Sequence, residues 1–179
     1  TVTIDALTIR NGLANNSNGG GIRVADGGSL SLANSIIENK QATSSNGKGG
    51  GVAFEGVGLL SIVDSTIRNN VAEGFQGGGG VFYDNLGGSS SPVQISGSTF
   101  SGNSATDSDT GDGGGIGIRG GTPVSPLTVN IDNSTFSGNS ASARGGGIWY
   151  LTDAANLAFL LNVDSSTFTG NTAAGGAGV

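Results

Sequence analysis

The stretch Asn133 to Ile148, NSTFSGNSASARGGGI, carries the pattern that most restricts how this chain can fold. Most of it is written twice more, as SGSTFSGNSA from Ser96 to Ala105 and as DSSTFTGNTA from Asp164 to Ala173. With Phe136 as an anchor, the equivalent positions are Ile9, Ile37, Ile67, Phe100, Phe136 and Phe168, separated by 28, 30, 33, 36 and 32 residues. Ala stands five residues after every anchor, at Ala14, Ala42, Ala72, Ala105, Ala141 and Ala173. Five residues before it is a branched aliphatic (Ile4, Leu32, Ile62, Ile95, Ile131, Val163), and seven before it another (Val2, Leu30, Leu60, Val93, Val129, Leu161). Glycines then lead into Ile22, Val52, Val81, Ile116, Ile148 and Val179. Self-similarity at this period is the signature of a solenoid.

Inside a repeat the apolar residues alternate with polar or small ones, as in Val129-Asn130-Ile131 and Ile116-Gly117-Ile118. That is strand periodicity, and no apolar run at i, i+3, i+4 is long enough for a helix. Each repeat is therefore predicted to hold three short strands: the aliphatic pair, the anchor segment, and the segment after the glycines. Three strands bury no apolar face alone, but stacked coils do, each strand pairing with its copy ~4.8 Å along the axis. The expectation is an all-β fold, a parallel β-helix of six coils in one domain over residues 1–179, with the right hand favoured by crossover chirality. The predicted coils span residues 1–29, 30–59, 60–92, 93–128, 129–160 and, incompletely, 161–179.

Gly makes up 36 of the 179 residues, far above the usual ~7%. Disorder would explain that fraction, but disorder needs no register among the apolar residues. A net charge of −6 with 11% charged residues leaves no basic patch for nucleic acid. No apolar run is long enough to span a bilayer, so this segment is not predicted to insert in a membrane. Without Cys there is no disulfide or thiolate site, and the lack of Cys, Met and His suits an extracellular or cell-surface setting. The corners after the third predicted strand lengthen in coils 3 to 5 and hold all three prolines, Pro92, Pro123 and Pro126. Insertions in a solenoid map to one face, so any lateral site is expected there.

Coil 1 opens directly on a strand at Thr1, and coil 6 reaches Val179 as a strand begins. Uncapped coils offer unpaired backbone groups to another chain. Two expectations follow: either the segment is cut from a longer solenoid, or copies stack head to tail, a contact that does not close. The stack would run through Val2, Ile4, Ile9 and Ile22 at one end and Leu161, Val163, Phe168 and Val179 at the other.

The segments Phe100 to Asn103 (FSGN), Phe136 to Asn139 (FSGN) and Phe168 to Asn171 (FTGN) resemble the FxxN repeat of the chlamydial polymorphic outer-membrane proteins. The Gly-Gly-Gly-Ile and Gly-Gly-Ala-Gly-Val segments that follow are similar to that family's GGA[ILV] repeat, and to the wider group of bacterial right-handed β-helix surface proteins. The likeness spans all six coils, with FxxN strict in the last three. Where the family has Ala, this chain has Gly21, Gly51, Gly80, Gly115, Gly147 and Gly178. The resemblance implies a surface location and adhesion.

Several constellations could carry chemistry. The column Asn70, Asn103, Asn139, Asn171 reads as a structural amide ladder rather than a catalytic set. Asp107, Asp109 and Asp112 around Gly111 offer oxygens to calcium, though no Glu closes an EF-hand loop, and a solvated acidic loop is the competing reading. Arg10, Glu38 and Arg68 follow the anchor on an outward column, placed for a surface ion-pair ladder. Acid–base work on a sugar acid would need a second carboxylate that they lack. Arg23, Ala53, Phe82, Gly117 and Trp149 form another outward column, with Phe82 and Trp149 expected to flank Gly117 as an exposed aromatic groove for a subunit, a loop or a sugar. Thr8, Thr66, Thr99, Thr135 and Thr167 are a file broken by Ile36, which suits exposed strand better than ice binding. The sequence thus points to a non-enzymatic extracellular subunit of a filament or adhesin, contacting itself and host surfaces or polysaccharide, with no cofactor unless calcium. A polysaccharide lyase or hydrolase, or a carbohydrate-binding β-helix, is the alternative.

Overall fold

A computed structural model describes residues 1–25, 27–43, 45–85, 91–120, 127–152 and 159–178. The chain winds into four parallel sheets, three of six strands and one of five. The first holds Val2–Asp5, Leu30–Ala33, Leu60–Val63, Val93–Ser96, Leu127–Asp132 and Phe159–Asp164. The second holds Thr8–Arg10, Ile36–Glu38, Thr66–Arg68, Thr99–Ser101, Thr135–Ser137 and Thr167–Thr169. In the third are Leu13–Asn15, Gln41–Thr43, Val71–Ala72, Ser104–Ala105, Ser140–Arg144 and Thr172–Gly175. The fourth holds Ile22–Ala25, Val52–Glu55, Val81–Asn85, Ile116–Gly120 and Ile148–Thr152. Five coils thus contribute to every sheet and the sixth to three of them.

Each of the first five coils has four strands where three were expected, and the sixth has three among the described residues. The extra strand is the Ala column, separated from the anchor strand by a two-residue corner. The first corner residue is left-handed: Asn11, Asn39 and Asn69 have φ 59°, 54° and 54°, and Gly102, Gly138 and Gly170 stand there in the later coils. Asn tolerates this region better than most side chains, so the corner is written in the sequence as Asn or Gly. A matching corner joins the first and second sheets, with Asn34, Asp64 and Asn133 at φ 48°, 47° and 48°.

Every predicted apolar column keeps its register. Ile9 pairs with Ile37, Ile37 with Ile67, Ile67 with Phe100, Phe100 with Phe136, and Phe136 with Phe168. The Phe rings stack at 4.7 and 4.8 Å with interplanar angles of 2°, which matches the strand spacing. Inward side chains of the first, second and fourth sheets form one buried core, from Leu30 and Leu32 through Ile37, Ile67 and Phe136 to Ile148, and the third sheet adds the buried Ala42, Ala72, Ala105 and Ala141.

One core residue carries a polar atom without a partner. Tyr83 stacks on Phe54 at 5.2 Å and is wholly buried, and its hydroxyl finds no hydrogen bond among the described residues. Burial, helped by the negative charge of Asp84, pushes its pKa up to about 12. Tyr83→Phe removes an unpaired buried group and is expected to raise stability by about 1 kcal/mol. The unfolded chain's phenol ionises near its ordinary value of 10.0 and the folded one later, so stability falls as pH rises through that interval. Alkaline unfolding of Tyr83→Phe should therefore begin at higher pH, as a pH titration of urea midpoints will read.

Candidate functional site

The fourth sheet gathers several charged side chains on its outward columns. Its outward columns place Arg23 beside Ala53, Phe82, Gly117 and Trp149 in turn, and Asp84 beside Arg119. The Arg23 Nε donates to Glu55 Oε2 at 2.8 Å, and Asn18 Nδ2 donates to the other Glu55 oxygen at 2.5 Å. From the glycine corner of the second coil, Lys48 Nζ lies 4.9 Å from the Phe82 ring centroid and donates to Gln76 Oε1 at 3.4 Å. Desolvation lowers the Lys48 pKa, while Asp84 and Glu55 oppose that shift and Arg119 adds to it. Arg23, Lys48, Glu55, Asp84 and Arg119 thus come from four consecutive coils onto one face. Arg23 was placed outward from the sequence; the row of Glu55, Asp84 and Arg119 was not. Its signal was a charged residue three positions after the start of each of those strands.

Phe82 and Trp149 do flank Gly117 in register, but they do not form the exposed groove expected of them. Phe82 is fully buried and Trp149 only 7% exposed. Strand alternation points both away from the core, and the glycine corners then fold back over them. A Cβ on Gly117 would stand 3.1 Å from Gly78 N and 3.2 Å from Gln76 O, so the missing side chain is what admits the covering corner. Trp149 is covered by Arg144, whose guanidinium carbon lies 5.3 Å from the ring centroid.

That arginine also ends the acidic stretch. Arg144 Nε and Nη2 donate to the two carboxylate oxygens of Asp112 at 3.0 and 2.7 Å. The Asp112 carboxylate holds the Arg144 pKa above its ordinary value. Asp107 instead folds onto its own loop, accepting from the Thr110 hydroxyl at 2.7 Å and from the Thr110 and Asp109 backbone, which lowers its pKa. Asp107, Asp109 and Asp112 form no three-residue metal group among the described residues. The excursion is knitted into the stack, with Gln76 N donating to Thr110 O and Ala143 N to Gly111 O. Because the Asp112 side chain is 1% exposed and that of Arg144 54%, the two halves of the pair are unequal. Arg144→Ala strands a buried carboxylate and should cost about 3 kcal/mol, by the reasoning for broken buried pairs. Asp112→Asn returns the guanidinium to water and should cost about 1 kcal/mol. Trp149 is the only tryptophan, so its emission reports both unfolding curves and should shift to the red in Arg144→Ala alone.

The other columns are occupied by axial ladders. Arg68 donates to Glu38 at 2.8 Å, and Arg10 sits in register with Glu38 on the far side. In the Asn column, Nδ2 of Asn70, Asn103 and Asn139 donates to Oδ1 of the next Asn at 2.9, 3.0 and 3.0 Å. Each Oδ1 also accepts a backbone N–H from the preceding coil, and each Nδ2 also donates to the carbonyl of the preceding anchor. Coil 2 has Lys40 at this position, buried against Gly12 and Gly21, and desolvation lowers its pKa. A second ladder was missed. Ser65, Ser98, Ser134 and Ser166 each accept the N–H of the preceding Ser at 3.0 to 3.2 Å, and each hydroxyl donates to the carbonyl two residues back. Its trace in the sequence is Ser two residues before five of the six anchors.

Val2, Ile4 and Ile9 lie on the outermost strands at one end, with Ile22 in the same coil, and Leu161, Val163 and Phe168 lie on those at the other. Val179 and residues 86–90, 121–126 and 153–158, the core of the corners where a lateral site was expected, lie outside the described residues. An apolar cavity of about 390 Å³ adjoins Ile148, Trp149 and Tyr150 at the edge of the fourth sheet.

No curated protein and no solved structure matches the chain significantly. A family model described as the right handed beta helix region matches residues 2–168. With nearly the whole chain matched and its sheets stacked in parallel register, the protein belongs to the right-handed β-helix family.

Proposed function

We propose that this β-helix is a non-enzymatic structural rod of the cell exterior, a segment of a filament or surface adhesin. The observation that carries the reading is the commitment of polar side chains to axial ladders: the Asn and Ser columns hydrogen-bond along the axis, coil to coil. Such rungs are interchangeable, and their contacts accumulate with coil number as in other solenoids. The outermost strands carry the same residue classes as the interior ones, Val2 and Ile4 at one end and Leu161 and Val163 at the other. A further rung of the same pattern, from this chain or from a second copy, would pair on them in the same register. The likeness of the FxxN and glycine rungs to surface β-helix proteins supports the location. Electron microscopy and sedimentation across a wide concentration range test the stacking. Rods that lengthen with concentration are expected; single short rods at every concentration would rule stacking out.

The charged row on the fourth sheet favours a second reading, contact with or cleavage of an acidic polysaccharide. Arg23, Lys48 and Arg119 would meet its carboxylates, with the half-buried Glu55 beside Arg23 as the acid–base group. Release of unsaturated uronate or reducing ends from such polymers, lost in Arg119→Ala and Glu55→Gln, would displace the structural reading.

A further inference from the structure

No further inference is drawn: the strongest candidate, the apolar cavity between Arg144, Trp149 and Tyr150 beside the edge strand Ile148–Thr152, is bounded by the last described turn of the chain, and nothing in the structure shows what covers it.

Discussion

Gly114→Ala is expected to destabilise the rod by at least 4 kcal/mol, in the range reserved for severe core damage. The added methyl would stand 2.4 Å from Ser140 O and 2.5 Å from Gly146 O. Both are backbone atoms of the next coil, so no rotamer relieves the contact. Coils 4 and 5 would have to part at a point where Gly114 N donates to Gly145 O at 3.0 Å. Gly138→Ala provides the contrast. Gly138 sits at φ +61° with nothing within 4 Å of its missing Cβ. Its substitution meets only left-handed strain, about 1 kcal/mol. For a chain of this length 1 kcal/mol moves Tm by roughly 2–4 °C. Thermal scans followed by Trp149 emission should therefore separate the two variants by about 10 °C, the difference in cost multiplied by that sensitivity. Equal midpoints would show that coils can separate locally, and that close approach is not what the glycine column protects.

The same geometry explains why Gly rather than Ala stands just before each fourth-sheet strand. A Cβ on Gly80 would lie 2.6 Å from Gly115 O and 3.1 Å from Asn103 Cγ, and one on Gly115 would lie 2.5 Å from Gly147 O. The backbone carbonyl of the next coil takes the space that an Ala methyl would need, with the Asn amide close beside it. Coil architecture was legible because five columns are each filled by one residue class, and a class repeated at one offset can only mean a shared environment. The strand count was not legible. Val71–Ala72 and Ser104–Ala105 are two-residue strands, too short to show alternation, and the corner before them is a single left-handed residue followed by Asn, Gly or Lys.

The site was less legible than the fold, for a different physical reason. Alternation tells which side of its own sheet a residue faces, so Phe82 and Trp149 were rightly set outside the core. It says nothing of what lies over that side. The cover comes from Gly74 to Gly78 and from Arg144, segments of variable length that no column aligns. Glu55, Asp84 and Arg119 escaped notice because a column of mixed charge has no single class to recognise, although neighbouring coils bring such residues within interaction range. The Ser ladder escaped because Leu7 breaks it in the first coil, where an exposed side chain replaces the hydroxyl.

Asn103→Ala should cost about 3–5 kcal/mol, the sum of two or more orphaned buried groups. Asn103 Oδ1 accepts from Asn70 N at 3.1 Å and from Asn70 Nδ2 at 2.9 Å, while its Nδ2 donates to Ile67 O at 2.9 Å and Asn139 Oδ1 at 3.0 Å. Truncation removes all four bonds at once, and the flanking residues Asn70 and Asn139 are wholly buried, so water cannot replace the amide without opening the stack. Asn103→Asp separates hydrogen bonding from side-chain volume. The acid is nearly isosteric and keeps an acceptor for Asn70, but its second oxygen must face Ile67 O and Asn139 Oδ1, which are acceptors. Only the protonated acid can donate there, so burial and these neighbours raise its folded pKa above the unfolded value of about 3.9. The sign follows from linkage: below that unfolded pKa both states carry the proton and there is no penalty. Above it the variant loses up to about 1.4 kcal/mol per pH unit until the folded pKa is passed. Relative to wild type at each pH, Asn103→Asp is therefore expected to be mildly destabilised at pH 4 and severely at pH 7, whereas the deficit of Asn103→Ala stays flat between them. Denaturant midpoints at the two pH values read the difference. A deficit for Asn103→Asp that does not change with pH would mean that water reaches the column, and the amide ladder would then lose its place as the element that ties the coils together.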